Sequence, residues 1–431
     1  MTTVAAPMEA LEPSLVAPKT VVTTAGRTLG IGIFLCLLGA LNVFVFGLGS
    51  GASAVASFTW NYENAASVPG FTLHTQPVAI GIGVGCALLG IFLITRPRIR
   101  YAISLSLLVV CVVGTLFALL MWAQRSTPGL PMNLGGYLAI SVGYATIIVF
   151  GSLAGTIGER SGVVNIAIEG QFLLGAFCGA MAGSAVVNAM GTGAGYVLGG
   201  LAGVAIGGLL GALLAYLSLR YSANQIIVGI VLVALATGLT DYFNFQILFA
   251  YPNLNLGDVA PSLAIPVLDK IPVIGPTFFD QNGFAYVADV LVIVLSFALF
   301  RTQWGLRVRA VGEHPRAAET VGINVLRTRY KCVVLGGMIA GLGGAYYTLG
   351  LSGAFAPEST AGLGYIALAT MIFGQWRPYR CFGASILFAS MVVLGQYVQD
   401  YNTGLNPELL VMLPYVVTIF VVAGLVGRVR P

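Results

Sequence analysis

Twelve windows of roughly twenty mostly apolar residues recur along the chain, near 28-50, 77-95, 101-123, 137-157, 171-189, 195-217, 225-249, 285-301, 331-351, 363-376, 381-398 and 409-427. About 20 helical residues cross a hydrocarbon layer about 30 Å thick, so each window reads as a membrane helix. The window at 363-376 is short for a full crossing and is expected to be broken or tilted unless its flanks contribute. Composition agrees: 58% of the 431 residues are hydrophobic and 8% are charged, against about 25% charged in soluble domains. Long Leu, Val, Ile and Ala runs with 57 glycines favour packed helices, because barrel strands would alternate in segments of about ten residues. The expected fold class is all-α, a polytopic transmembrane helix bundle.

Basic residues set the expected orientation. With the N-terminus inside and twelve crossings, only Arg125 and Lys270 of the 20 Lys and Arg residues fall outside. This positive-inside bias places both termini in the cytoplasm. The first 26 residues, with Glu9, Glu12 and three prolines, read as a tail rather than a domain. The first apolar run exceeds the usual 7–15 residues of a signal peptide and its leader is barely basic, so it is expected to remain as a span. A formal charge of +5 takes its meaning from sidedness and does not imply nucleic acid.

Several chemistries are excluded by what is missing. Cys36, Cys86, Cys111, Cys178, Cys332 and Cys381 fall in or beside apolar runs without a CxxC pair and read as buried small hydrophobes. His74 and His314 are the only histidines, too few for a zinc or proton-relay cluster, so no metal or cofactor is expected. Lys19, Lys270 and Lys331 all lack the glycine-rich approach of a phosphate loop, and the chain does not bind ATP by that route. Without paired acids or a nucleophile motif it is not expected to be an enzyme.

Between the fourth and fifth windows, GERSGVVNIAIEG at 158-170 sets Glu159, Arg160 and Glu169 between two apolar runs. A charge inside the bilayer costs roughly 2.5–3.5 kcal/mol on the insertion scale and needs a functional reason. Two readings stand. The segment is either a solvated turn broken by Gly158 and Gly162, or an unwound stretch lining a path, tolerated only beside protein or water. GVVNIA at 162-167 echoes GLGYIA at 362-367, the first entering a helix from inside and the second from outside, as an inverted repeat would. Gly195, Gly199, Gly203, Gly207, Gly211 and Ala215 recur every four residues, and Gly336, Gly337, Ala340, Gly341 and Gly344 mark the ninth window; both are ridges for close helix packing within the bundle.

The longest and most charged inside loop is RTQWGLRVRAVGEHPRAAETVGINVLRTRYK. Within it, EHPRAAETVG has helix grammar: Pro315 suits the first turn, Ala317, Ala318 and Val321 form an apolar stripe, and Gly322 ends the helix. Two turns are unstable alone, so the helix packs on the underside of the bundle or on a cytosolic partner. The loop resembles the coupling segment of ABC transporter permeases, which carries a glutamate, paired alanines and a glycine in this order. More narrowly, GERSGVVNIAIEG, GLRVRAVGEHPRAAETVGINV and GYIALATMIFGQWRP resemble the nucleoside-type branch of the permease superfamily that also serves ribose and branched-chain amino acids, over about residues 137 to 400.

That resemblance implies an inner-membrane permease subunit of about ten to twelve spans, since relatives have a core of about ten. It implies a cytoplasmic tail at 1-27, N-terminal helices at 28-130, a permease core at 131-427 with a coupling loop at 302-330, and a cytoplasmic C-terminus at 428-431. It implies import by alternating access, powered by a separate cytoplasmic ABC ATPase that docks on Glu313, Pro315, Arg316, Ala317, Ala318, Glu319 and Gly322. A second, non-identical permease and an extracytoplasmic substrate-binding protein complete the set, within membrane lipid. Nucleosides are the expected substrate, with ribose-like sugars or branched-chain amino acids as the alternative.

A nucleoside carrier stacks the base on aromatic faces and meets ribose hydroxyls with amide or carboxylate oxygens. Path candidates are Asn165 and Glu169, raised by the resemblance, then Asp241 and Asn244 beside Tyr242 and Gln246, and Tyr365 near Gln375 and Trp376. Tyr346 and Tyr347 in the ninth window are further aromatics. Each also reads as a helix-end or interfacial residue. An ion-coupled secondary transporter, the rival, would use an intramembrane carboxylate such as Asp241 or Asp289.

Overall fold

Each apolar window that the structure covers folds into helix. The computed structural model describes residues 24–60, 68–99, 101–126, 130–401, 403, 406–416 and 418–419. In chain order the helices are α1 (Thr24–Leu41), α2 (Thr75–Thr95), α3 (Tyr101–Ala123), α4 (Leu134–Arg160), α5 (Ile168–Met190), α6 (Thr192–Ala215), α7 (Gln225–Phe243), α8 (Ile274–Phe278), α9 (Gly283–Arg301), α10 (Gln303–Glu313), α11 (Pro315–Thr320), α12 (Val325–Tyr346), α13 (Leu363–Phe373), α14 (Pro378–Asp400) and α15 (Pro407–Val411). Among the described residues, 10 helices are long and apolar enough to cross a membrane, and α13 is a shorter apolar helix. The window at 409-427 is described only in part, and residues 1–23 and 428-431 lie outside the described residues.

Asparagine starts four of the long helices. Asn133, Asn224, Asn282 and Asn324 each turn a side-chain oxygen onto a backbone N–H of the following first turn, at 3.1, 2.9, 3.2 and 2.8 Å. Such caps contribute about 1 kcal/mol each and fix where α4, α7, α9 and α12 begin. Two small sheets, which the apolar pattern did not signal, lie between spans. Strands β1 (Val55–Trp60), β2 (Val68–His74) and β3 (Met132–Asn133) form one in the order β2-β1-β3; β4 (Ser262–Ala264) pairs antiparallel with β5 (Asp280–Asn282).

The core gathers on α4, whose Ile147, Phe150 and Leu153 are fully buried against Phe172 of α5, Tyr346 of α12 and Phe388 of α14. Helices α5, α6 and α12 meet through glycine. Gly203 and Gly207 of α6 face the Gly337 and Gly341 backbone of α12, and Gly199 faces Gly179 and Gly183 of α5. The two ridges read from the sequence therefore pack helices inside the bundle, where close approach substitutes for a hydrophobic driving force that lipid does not supply. Helices α1, α2 and α3 form a satellite cluster against Leu387 and Met391 of α14. Outward faces stay apolar, with Ile230 and Val231 of α7 and Val290 and Phe297 of α9 more than half exposed, as lipid contact requires.

Candidate functional site

Helix α4 ends at Arg160, and Gly162, with φ +86°, turns the chain back toward the bundle. The next residues are unwound but not unsatisfied. Val164 N–H donates to Gln225 Oε1 at 2.8 Å, Ala167 N–H to Asn165 Oδ1 at 3.1 Å, and Asn165 Nδ2 to Gln171 Oε1 at 3.0 Å. Asn165 and Glu169 are 1% and 6% exposed. The solvated-turn reading thus gives way to an unwound segment packed within protein.

Glu169, in the first turn of α5, reaches the start of α13. Its Oε1 accepts from Thr360 Oγ1 at 2.6 Å and from Gly362 N–H at 3.0 Å, and its Oε2 accepts from Gly364 N–H at 2.6 Å. The first N–H groups of a helix have no intrahelical partner and carry partial positive charge, so a carboxylate is the natural cap. Only glycine fits at 364: a Cβ there would lie 2.7 Å from both Cα and Oε2 of Glu169.

Position along the bundle follows from contacts. Gly151 faces Ala367 and Gly155 faces Met371, so α13 runs beside the second half of α4 and begins near the middle of that helix. At its other end, Arg160 donates from Nε and Nη2 to the Trp376 carbonyl at 3.3 and 3.2 Å and from Nη2 to that of Gln375 at 3.4 Å, while Trp376 Nε1 donates to Glu159 Oε2 at 2.6 Å. Gln375 and Trp376 adopt φ of +54° and +52°, a conformation that costs of order 1–3 kcal/mol per residue and persists only where neighbours hold it. All three charges of the 158-170 segment therefore act on α13, Glu169 at its start and Glu159 and Arg160 at its end.

The charged loop docks on the same segment. Gly312 of α10 lies against the Arg160 carbonyl, and Arg329 Nε donates to Ser161 O at 3.1 Å. Helix α11 carries Pro315 at its first position and is closed by Gly322 at φ +82°. The expected stripe is divided, however: Ala318 packs with Val311 and Val325, whereas Ala317 is exposed and Val321 is 74% exposed. A single turn and a half presents one residue to the bundle, and its other apolar groups face away. Glu313, Arg316, Glu319 and Gly322 are exposed and Pro315 is half-buried.

The structure brings Tyr365 next to Glu169, since Tyr365 follows Gly364 in the first turn of α13, whereas Asn165 is hydrogen-bonded to Gln171 and Ala167. It leaves Asp241 and Asn244 apart. Val233 and Ala236 of α7 pack against Gly170, and Asp241 lies beyond them, exposed, with Asn244 half-buried in the next turn. Asp289 is half-buried on α9 beside Thr146 and Phe382. Among the described residues no group of three or more His, Cys, Asp or Glu could hold a metal ion.

Against the first turn of α13 lies a cavity of about 180 Å³. Its polar lining comes from Tyr144 of α4, Tyr347, Ser359, Gln396 and Gln399 of α14, and Tyr415. Apart from Tyr347, none of these was singled out from the sequence. Two glutamines three apart in an otherwise apolar span, one helical face by spacing, were the signal available.

Helices that start mid-bundle around a polar junction recur in many helical membrane transport proteins. Residues 137–422 match the family described as branched-chain amino acid transport system / permease component. The chain belongs to that family of permeases. It is 36% identical over 69% of its length to the nucleoside ABC transporter permease protein NupC of Lactococcus lactis subsp. cremoris, covering 95% of that protein. It is 35% identical over 66% of its length to the guanosine ABC transporter permease protein NupQ of Bacillus subtilis, covering 90% of it. A shorter match, 28% identical over 31% of the chain and 37% of the relative, is to the nucleoside ABC transporter permease protein NupB of Lactococcus lactis subsp. cremoris. No solved structure matches the chain.

Proposed function

We propose that this chain is the translocating subunit of an ABC importer for nucleosides, moved by a separate cytoplasmic ATPase. The substrate class is carried over from NupC and NupQ, whose similarity spans almost their whole lengths. Both termini and the α10–α11 hairpin lie on the cytoplasmic side, as the distribution of Lys and Arg supports. NupB and NupC come from one organism, which supports pairing with a second, unlike permease. An extracytoplasmic binding protein delivers substrate to the opposite face.

One observation carries the mechanism: the hairpin and both ends of α13 converge on residues 159–169. The exposed side of α11, with Arg316, Ala317, Glu319 and Val321, is the ATPase contact. A displacement of α11 is transmitted through Gly312 and Arg329 to the Arg160–Ser161 carbonyls, and from there to the two ends of α13. Rearrangement of α13, the half-helix at mid-bundle, alternates access for the substrate. Such a step needs two arrangements of one element that the ATPase biases differently. The strained turn at Gln375 and Trp376 is suited to be its hinge.

Cysteine cross-linking tests the docking. With Val321→Cys, a short bifunctional reagent is expected to join the chain to its ATPase, in a yield that changes with ATP. Cross-linking only to the second permease, or none in an assembled complex, would overturn the assignment.

A further inference from the structure

The cavity beside α13 is closed on one side by the 359–363 turn, whose other side is held by Glu169. Its residues divide in a telling way. Tyr144, Tyr347 and Tyr415 bring three phenol rings; Gln396 and Gln399 bring two amides, each both donor and acceptor; Val392 and Ile366 supply apolar wall. Among the described residues, no acid, lysine, arginine or histidine lines it. A zwitterionic amino acid or a phosphorylated solute would shed part of its hydration there without a countercharge from the described lining, a cost that grows with burial. A neutral solute with a flat aromatic face and hydrogen-bonding edges meets no such cost.

Two of the polar groups retain free capacity. Ser359 Oγ is buried without a hydrogen-bond partner, and a buried hydroxyl left unpaired is destabilising until something pairs with it. Gln396 donates from Nε2 to Tyr144 Oη at 3.0 Å, which fixes the amide plane and leaves its carbonyl oxygen for a donor. The void is smaller than the roughly 300 Å³ at the lower end for drug-sized ligands, a size for a base alone, with the sugar left toward the opening. Glu358, just before the lining Ser359, and Ala361, in the lining itself, adopt φ of +53° and +43°, strain of the kind that collects at ligand clamps.

We propose that this cavity is the nucleobase subsite of the transport path, with Gln396 and Ser359 pairing to the base edge and the tyrosine rings covering its face. The proposal rests on the nucleoside reading above and adds where the base is read and by which residues. It also places the subsite at the start of α13, so that base binding and the Glu169 junction share the 359–364 turn.

The test uses the complete complex, with ATPase, second permease and binding protein, in proteoliposomes. ATP-driven uptake of tritiated guanosine, adenosine and uridine is measured for wild type, Gln396→Leu and Ser359→Ala, with glucose and leucine in parallel. Gln396→Leu is expected to raise KM for at least one nucleoside tenfold or more, and Ser359→Ala about threefold, with unequal effects among the bases and complex yield at wild-type level. Nucleoside uptake by wild type with KM unmoved in both variants would overturn the subsite and leave the nucleoside reading standing. A wild-type complex that carries glucose or leucine but no nucleoside would overturn both.

Discussion

The N–H of Gly364 donates a 2.6 Å hydrogen bond to Glu169 Oε2, joining the first turns of two helices whose residues lie 195 apart in sequence. With Thr360 and Gly362 donating to the other oxygen, one buried carboxylate fixes where the half-helix α13 begins. Glu169→Ala leaves three donors without that acceptor, of which Thr360 and Gly364 are buried and cost about 1–3 kcal/mol each. The melting temperature of the detergent-solubilised protein is expected to fall by several degrees with loss of transport. Glu169→Gln, which keeps one carbonyl oxygen, is expected to fall between alanine and wild type.

At the other end of α13 the expectation differs. Trp376→Phe keeps an aromatic side chain and removes the indole N–H that bonds Glu159, and Arg160→Lys replaces a planar fork reaching two carbonyls with a point donor. Both variants are expected to assemble and to lose substrate stimulation of ATP hydrolysis, measured on the reconstituted complex. Stimulation at wild-type level in both would separate this junction from coupling.

Close packing of α6 makes a sharper stability prediction. A Cβ at Gly203 would lie 2.6 Å from Ala345 Cβ and from the Gly341 carbonyl oxygen, whereas nothing lies within 4 Å of one at Gly193. Gly203→Leu is expected to abolish the monodisperse peak in size-exclusion chromatography, and Gly193→Ala to leave it unchanged. The contrast isolates helix packing from any general effect of substituting glycine in a membrane helix.

On α11, burial separates adjacent alanines. Ala318 is 3% exposed and packs with Val311 and Val325, while Ala317 is exposed. Ala317→Arg and Val321→Asp are expected to leave the melting temperature unchanged and to abolish co-purification of the ATPase. Ala318→Arg is expected to lower the melting temperature, because the arginine cannot share the site with Val311 and Val325.

What could be read in the sequence follows from the range of each interaction. Apolar windows, glycine ridges and the Pro315–Gly322 helix are local patterns, and the described residues carry them. The division of the α11 stripe was not readable, because a helix of a turn and a half gives no periodicity from which to tell the face of Ala318 from that of Val321. Nor was the role of Glu169: nothing near it in sequence indicates that its partners are Thr360, Gly362 and Gly364. Its charge in an apolar run marked it, and only tertiary structure supplies the reason. Tyr144, Gln396 and Tyr415 were overlooked for the same cause, each being unremarkable in its own helix until the bundle brings them to one cavity.

The central claim is that the chain is a conduit without its own energy source, driven from α11. Uptake of radiolabelled guanosine into proteoliposomes measures this most directly, comparing the chain alone under an imposed proton or sodium gradient with the full complex supplied with ATP. Uptake is predicted only in the complex, only with ATP, and not with Val321→Asp. Accumulation by the isolated chain under an ion gradient would contradict the account.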